Sequence, residues 1–329
     1  MKLRCNSLLN QKKLAMKKLL LLSFLALATT LVSQENKVQS LVEKSKTLNL
    51  EMWELTVFAQ KKLTSKTDLA KFFYYWIGNN ISYDNAFLKE MDTGYGERFY
   101  KRYEEKQHAY TVYTDRKGVC AGYANLFKWF MDECDIEVEI VSGHIRDWRN
   151  HYVELDNDDD FLHAWNAIKL NDKWILVDTT WGTSNDSVQS EFYFDIKPEL
   201  AINTHYPRDS KWQLLESPLS LKEFNDSKFV QLIWFFSGYS DVPTLKRDKS
   251  FYYLVYKQNT MKKDLYTALE ISEDNKNFKP IPNLIRINQN GYTYLRFKRD
   301  SIPNKAFYKV HLYKGGYVYY DNVISFKTY

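Results

Sequence analysis

The sequence contains little cysteine: three residues, Cys5, Cys120 and Cys134, in a chain of 329. A helix joining Cys120 to Cys134 would hold their Cα atoms about 21 Å apart, at about 1.5 Å of rise per residue. A disulfide needs Cα atoms within about 7 Å of each other. The sequence therefore argues against a disulfide between them and predicts two free thiols. Cys134 also lies on an apolar helical stripe, which predicts a core position.

The chain also lacks a hydrophobic run long enough to span a bilayer. The apolar run from Leu19 to Val32 has 14 residues, whereas a spanning helix needs about 20. Two lysines precede the run, a pattern typical of a secretory signal peptide that starts at Met16. The sequence predicts a signal peptide with an upstream extension over residues 1–33, no membrane span in the mature chain, and a soluble protein exported to the periplasm or the extracellular space.

A strong charge of either sign is missing from most of the chain. The whole sequence carries +5, but its first 33 residues hold six lysines and arginines and no acidic residue. The remainder therefore has a net charge of −1. This balance gives no electrostatic reason to expect nucleic acid or an anionic membrane as a partner.

The remainder divides into two parts by its hydrophobic pattern. Residues 34–221 begin with helical periodicity, and a polar, tyrosine-rich segment at 85–115 predicts a surface excursion. Residues 222–329 alternate apolar and polar side chains, as in Phe251–Tyr256 and Gly291–Phe297. This second part predicts a β-rich, sandwich-like domain.

Residues that can do chemistry concentrate between positions 118 and 182. Apolar residues recur at helical spacing after Cys120, so Cys120 is expected at a helix N-terminus. His163 and Asp178 lie on two predicted strands that meet at Asn171–Asp172. A two-residue hairpin turn there makes His163 and Asp178 diagonal neighbours on one face of the sheet. Their backbones would lie about 7 to 8 Å apart, within reach of a hydrogen bond between ring and carboxylate.

These three side chains form the minimum set for thiol-based acyl transfer. The positive end of a helix dipole and a nearby imidazolium lower the pKa of a thiol into a range of about 3.5 to 7.5. The thiolate of Cys120 would attack an acyl carbon, His163 would move the proton, and Asp178 would fix the ring tautomer. A buried core cysteine is the simpler interpretation of Cys120 alone, but its combination with His163 and Asp178 favours catalysis.

The motifs around these residues resemble the transglutaminase-like superfamily of papain-related thiol enzymes, and within it the kyphoscoliosis-peptidase-like group. The segments that match are Gly118–Tyr123 for the nucleophile, His163–Asn166 for the base and Trp174–Gly182 for the carboxylate strand. Weaker similarity extends to Ile81–Asp84 and to His205–Leu215.

The resemblance implies an α+β core, in which the helix with the nucleophile packs against an antiparallel sheet that carries the base and the carboxylate. It also implies a cysteine-dependent peptidase or a transglutaminase-like acyl transferase. The backbone N–H of Cys120 is the natural first oxyanion donor. By family analogy Tyr83 is a candidate second donor. Trp165 and Trp181 flank the site and are candidates to wall the substrate channel, although core packing is the simpler role for each.

Two metal sites are weighed and rejected. His144, His151 and His163 are separated by seven and twelve residues, which fits no zinc pattern. Alternating aspartates at 156–160 resemble the start of a calcium loop but lack its glycine and its bidentate glutamate. The sequence predicts no metal and no cofactor.

The sequence thus predicts an exported cysteine acyl-transfer enzyme with Cys120, His163 and Asp178 as its triad. Hydrolysis of a peptide or isopeptide bond is favoured over transfer to an amine by a protein transglutaminase. A non-catalytic binding or scaffold module with the same fold is the alternative from another class. The expected partner is a protein or peptide substrate, with cell-wall peptide among the substrate classes.

Overall fold

The computed structural model describes residues 35, 37–91, 93–94, 96–146, 154–156, 162–183, 191–259, 262, 264–303 and 305–328. The predicted signal peptide and most of the aspartate run at 156–160 lie outside these residues. In the described part of the chain, no helix has both the length and the apolar composition that crossing a bilayer requires.

Helices dominate the first part of the described chain. They are, in order, α1 (residues 37–46), α2 (Met52–Lys62), α3 (Lys66–Asn80), α4 (Asn85–Met91), α5 (Glu97–Gln107), α6 (Ala109–Asp115) and α7 (Cys120–Glu133). A parallel pair of short strands, β1 (Ser82–Tyr83) and β2 (Lys117–Gly118), brings the end of α3 beside the chain that enters α7. Later short helices are α8 (Pro198–Ala201), α9 (Leu221–Asp226) and α10 (Leu232–Phe236).

The predicted surface excursion over residues 85–115 is mostly exposed or half-buried, but the expectation that it lacks regular structure is wrong. Three helices, α4 to α6, occupy this segment and bury Phe87, Val112 and Tyr113. On α5 the buried residue is a glutamine, Gln107, and most other positions are charged or tyrosine. Such a helix lacks the apolar stripe by which a helical period is recognised in a sequence.

A five-stranded antiparallel sheet forms the centre of the first part. Its strands are β3 (Val138–Ile145), β4 (Leu162–Leu170), β5 (Lys173–Val177), β6 (Phe194–Ile196) and β7 (His205–Pro207), in the spatial order β6-β5-β4-β3-β7. Helix α7 packs against β3 and β4. Asn166 of β4 donates a hydrogen bond from Nδ2 to the Ala124 carbonyl of α7 at 3.1 Å. The expected α+β arrangement, a helix on an antiparallel sheet, is confirmed.

The hairpin of β4 and β5 has the predicted register. Leu170 pairs with Lys173 across the turn, and the pairing continues without a shift along β5. Asn171 and Asp172 both have left-handed backbones, with φ of 49° and 62°, as in a type I′ turn. Because the turn length fixes the register, Asp178, which follows β5 directly, comes to lie beside β4.

Strands after residue 228 form two antiparallel sheets. They are β8 (Phe229–Val230), β9 (Thr244–Arg247), β10 (Phe251–Lys257), β11 (Leu265–Ser272), β12 (Lys279–Pro280), β13 (Ile285–Gln289), β14 (Tyr292–Lys298), β15 (Ala306–Lys314) and β16 (Tyr317–Thr328). One sheet has the order β13-β14-β10-β9 and the other β12-β11-β15-β16-β8. Leu254 and Leu295 of the first sheet share a buried cluster with Val310 and Ile324 of the second. This is the predicted sandwich-like arrangement; the domain boundaries at 33 and 221 stay predictions.

Two described residues that follow β3, Arg146 and Leu155, contact α9. Arg146, which is buried, places its guanidinium 4.1 Å from the centre of the Phe224 ring. Asn225 holds Leu155 by both of its amide atoms: Oδ1 accepts the Leu155 N–H at 3.0 Å and Nδ2 donates to the Leu155 carbonyl at 2.6 Å. These contacts connect the central sheet to the start of the C-terminal part.

An aromatic core lies between α3 and α7. The buried ring of Phe130 stacks on Phe73 with centroids 4.1 Å apart and meets Trp76 edge-on at 6.0 Å. Phe130 belongs to the helix that begins with Cys120. The packing of this ring therefore helps to fix the position of the helix that carries the thiol.

Replacing Phe130 tests this core. Phe130→Ala removes a buried ring and leaves a cavity, so the free energy of unfolding is expected to fall by about 3–5 kcal/mol. The measurement is urea unfolding followed by circular dichroism. Tyr100→Ala, at a site 59% exposed, is the control and should change stability by less than about 0.5 kcal/mol. Equal effects of the two substitutions would contradict the assignment of Phe130 to the core.

Candidate active site

Cys120 is the first residue of α7, as predicted. Val119 is the N-cap residue, and its N–H donates to Oε1 of the buried Gln107 side chain at 2.9 Å. A Cβ on Gly122 would lie 2.5 Å from the same oxygen, so only glycine lets α5 approach the start of α7 this closely. Cys120 as a residue is half-buried. It therefore sits at the positive end of a helix dipole and can meet a substrate.

Asp178 is fully buried and accepts three hydrogen bonds. Its Oδ2 receives His163 Nε2 at 2.8 Å and His205 Nε2 at 3.1 Å. Its Oδ1 receives the backbone N–H of Trp181 at 2.9 Å. The donors come from β4, from β7 and from the turn that follows β5. Both carboxylate oxygens of Asp178 therefore have hydrogen-bond donors inside the protein.

His163 joins the carboxylate to the thiol. Its Nε2 forms a hydrogen bond with Asp178, and the ring also interacts with the Cys120 thiol, each raising or lowering the pKa of the other. Because Nε2 is hydrogen-bonded to Asp178, Nδ1 is the ring nitrogen left to exchange a proton with the thiol. The ring is 5% exposed and lies between two indoles, with centroid distances of 6.0 Å to Trp165 and 5.5 Å to Trp181. The structure thus brings the three predicted triad side chains into one connected group.

The electrostatics of the three groups are mutually dependent. Burial raises the pKa of the Cys120 thiol. The His163 side chain and the Ala164 N–H lower the pKa by more than burial raises it, so the net shift is downward. Burial lowers the pKa of His163, but Asp178 and then Cys120 raise it to about 10. Burial raises the pKa of Asp178, yet His163 and His205 hold it well below its usual range. These directions favour a thiolate, an imidazolium and a carboxylate in series.

The other predicted site residues lie around this group. Trp165 is buried and Trp181 is half-buried, and both rings flank His163, as expected. Tyr83 is half-buried, and its backbone pairs with Gly118, two residues before Cys120. Tyr83 therefore lies at the entry to α7, but its role as an oxyanion donor stays a prediction.

Cys134 occupies the predicted core position. It is 6% exposed and unpaired with Cys120. Burial raises its pKa to about 11, with a weak hydrogen bond from Gln60 Nε2 at 3.8 Å acting in the opposite direction. At neutral pH Cys134 is therefore a protonated, unreactive thiol.

Sequence reasoning missed His205 as a part of the site. This residue opens β7, which pairs with the far side of β3, where Ile145 faces His205 and Gly143 faces Pro207. The weaker resemblance described under Sequence analysis does extend to His205–Leu215. Similarity alone does not say which strand a short segment pairs with, so it could not place the imidazole against Asp178.

One cluster among the described side chains could in principle ligate a cation. The nearest donor atoms of His163, Asp178 and His205 lie within 4.8 Å of one another. Both imidazoles direct Nε2 at the same carboxylate oxygen and form hydrogen bonds there, so the observed geometry is that of a hydrogen-bonded group. The rejected zinc ligand His151 lies outside the described residues.

Comparison with known proteins agrees with this geometry. Residues 56–179 match the family model of the transglutaminase-like superfamily, and the predicted resemblance is confirmed. The kyphoscoliosis peptidase of Homo sapiens is 29% identical over 211 residues, covering 56% of this chain and 30% of that protein. The kyphoscoliosis peptidase of Mus musculus is 32% identical over 162 residues, covering 47% of this chain and 23% of that protein.

The chain therefore spans less than a third of the length of these curated relatives. A solved structure described as the crystal structure of a TGase is 17% identical, with a TM-score of 0.31, and the match covers 47% of this chain and 34% of that one.

The pairing of His163 with Asp178 predicts a pH-dependent contribution to stability. The pKa of His163 is about 10 in the folded protein, against about 6.5 in an unfolded chain. The stabilisation is therefore complete below about pH 6.5 and is lost as the pH rises through 10. Asp178→Asn removes the negative charge. The difference in unfolding free energy between wild type and this variant should thus narrow between about pH 6.5 and pH 10.

The measurement is urea unfolding at several pH values in that interval. Asp172→Asn, at an exposed turn position where Asn tolerates the left-handed backbone, is the matched control, and its stability difference should not change with pH. A difference for Asp178→Asn that stays constant or grows with pH would contradict the ion pair.

Proposed function

We propose that the protein is an exported cysteine-dependent acyl-transfer enzyme that hydrolyses peptide or isopeptide bonds. The observation that supports this most strongly is the group of Cys120, His163 and Asp178, in which His163 Nε2 lies 2.8 Å from Asp178 Oδ2 and the His163 ring lowers the pKa of the Cys120 thiol. A core cysteine needs no imidazole or buried carboxylate beside it. Cys134, whose pKa is influenced by no imidazole, is the internal comparison.

Each step of the reaction uses groups already in place. The Cys120 thiolate attacks the acyl carbon, and a C–S bond forms while the carbonyl oxygen gains negative charge. The N–H of Cys120, at the open end of α7, is placed to stabilise that oxygen, with the Tyr83 hydroxyl as the proposed second donor. His163 gives its Nδ1 proton to the leaving amine, and the C–N bond breaks. The product of this half-reaction is a thioester on Cys120.

The second half-reaction releases the acyl group. His163, now neutral, takes a proton from the incoming acceptor, which attacks the thioester and frees the Cys120 sulfur. Asp178 stabilises the imidazolium that forms and holds Nε2 as the donor to the carboxylate. Water as acceptor gives hydrolysis, whereas a primary amine gives transamidation by the same three residues. The name peptidase carried by the curated relatives supports hydrolysis.

The proposal of export rests on the apolar run that precedes residue 33. It places the substrate among proteins or peptides outside the cytoplasm, including cell-wall peptide. The enzyme would then act in a compartment that permits disulfides, where an unpaired, activated thiol needs a functional reason.

Alkylation by iodoacetamide tests whether Cys120 is activated. In a full-length background with Cys5→Ser and Cys134→Ser, rapid reaction is expected below pH 7, because the thiolate is held by His163. In His163→Ala the apparent pKa of the thiol should move to about 8.5, the value of an ordinary cysteine. A slow, ordinary profile in both proteins would contradict the catalytic proposal and favour a binding module.

The choice of acceptor is tested separately. A quenched fluorescent peptide library is incubated with the enzyme and an excess of a labelled primary amine, and cleavage and amine incorporation are measured together. Cleavage should dominate, and Cys120→Ala should abolish it. Amine incorporation that exceeds cleavage would replace the hydrolase by a transglutaminase while leaving the triad unchanged.

A further inference from the structure

The second imidazole on Asp178 has no place in a triad of three residues. His205 is 3% exposed, and its Nε2 lies 3.1 Å from the carboxylate oxygen that also receives His163. Its Nδ1 lies 2.7 Å from Oγ1 of Thr204, which is also buried. Both ring nitrogens of His205 therefore have hydrogen-bond partners, and the ring is buried.

The tautomer of His205 follows from its neighbours. The ionised carboxylate of Asp178 can only accept, so Nε2 of His205 must be the donor. Burial lowers the pKa of His205, and Asp178 offsets this only in part, so the ring is neutral at neutral pH. A neutral ring with Nε2 protonated accepts at Nδ1, so the Thr204 hydroxyl donates to Nδ1 at 2.7 Å in preference to the Ala201 carbonyl at 3.3 Å. The ionisable groups that act on His205 from the strands packed against it are Asp178 and His163.

The surroundings leave His205 little freedom. Its ring meets Trp165 edge-on at 5.0 Å and Trp181 at 4.6 Å. Gly143 lies on β3, the strand between β7 and β4, and a Cβ there would come within 2.7 Å of the Trp165 ring. Glycine at this position thus lets the indole lie where it supports His205.

Asp178 needs such support because it lies beyond the ladder of β5. Its backbone N–H is held by the Tyr193 carbonyl at 2.8 Å, but the ladder pairs of β4 and β5 end at Val177. The direction of the carboxylate is therefore set by its three donors. Of these, His163 is the catalytic base and changes its protonation during the reaction, whereas His205 and the Trp181 N–H stay constant.

We propose that His205 is a positioning residue, which holds the Asp178 carboxylate in the orientation that His163 requires, and that Thr204 fixes the tautomer in which it does so. The inference rests on the proposed function. It extends the triad to a chain of five groups: thiol, imidazole, carboxylate, second imidazole and hydroxyl. His205 itself touches neither the substrate nor the thiol and exchanges no proton.

Two opposing effects follow from removing His205. Without its N–H the carboxylate turns more freely, which weakens its contact with His163, destabilises the imidazolium and raises the pKa of the thiol. The carboxylate also loses a donor and becomes more basic, which acts in the opposite direction. If His205 is a positioning residue, the loss of orientation has the larger effect, because the His205 N–H is the donor that restricts rotation of the carboxylate.

The test is the pH profile of Cys120 alkylation in the full-length Cys5→Ser, Cys134→Ser background. His205→Phe keeps the ring shape and removes both nitrogens. The apparent pKa of the thiol should rise by about one unit, which slows alkylation about tenfold on the acidic side of the profile. His205→Gln retains an N–H donor near the Nε2 position and should recover most of the wild-type profile. Thr204→Val, which leaves His205 in place, should give a smaller shift in the same direction as His205→Phe.

The outcomes separate this inference from the proposed function. An ordinary thiol profile in the wild-type background overturns the proposed function and this inference with it. An activated wild type whose profile is unchanged in His205→Phe, with only a lower thermal midpoint, overturns positioning and leaves a purely structural histidine. A lowered thiol pKa in His205→Phe also overturns it. If His205→Phe does not fold, Thr204→Val decides, because His205→Gln is expected to resemble wild type. An unchanged thiol profile in Thr204→Val overturns the proposal, whereas a raised thiol pKa in Thr204→Val supports it.

Discussion

The interaction on which the rest of the site depends is the solvation of one buried charge. A carboxylate taken out of water is strongly unfavourable unless protein donors replace the water. Around the Asp178 carboxylate, three N–H groups take the place of water, from His163, His205 and Trp181. These groups come together only when β4, β7 and the turn after β5 are in place. The set of donors to Asp178 is therefore complete only in the assembled sheet.

The part of the site that is local in sequence could be predicted from the sequence. A two-residue turn fixes the register of the hairpin that it joins, and side-chain alternation then decides which residues share a face. That argument predicts His163 beside Asp178. The helical periodicity after Cys120 likewise placed the thiol at the start of α7, where the backbone N–H groups are unpaired.

The part that is not local could not be predicted in this way. His205 lies 27 residues after Asp178. It reaches Asp178 because β7 pairs with β3, and no short turn between these two strands fixes that pairing. The helices α4 to α6 were missed for another reason. Their surfaces are polar, and the contact that matters most for the site is made by a buried amide, Gln107, which holds the N–H before Cys120. Hydrophobic periodicity does not reveal a buried polar side chain that binds the backbone in this way.

The spatial order of the central sheet has a consequence for where the domain can be cut. The match to the family model ends at residue 179, one residue after the carboxylate. The two outer strands of the sheet, β6 and β7, are both encoded beyond that point. A fragment trimmed to the match would keep the three triad residues in its sequence yet lose two of the three donors to Asp178. It would also expose both flanks of the remaining strands to pairing with other chains. The smallest self-sufficient unit is therefore longer than the segment by which the family is recognised.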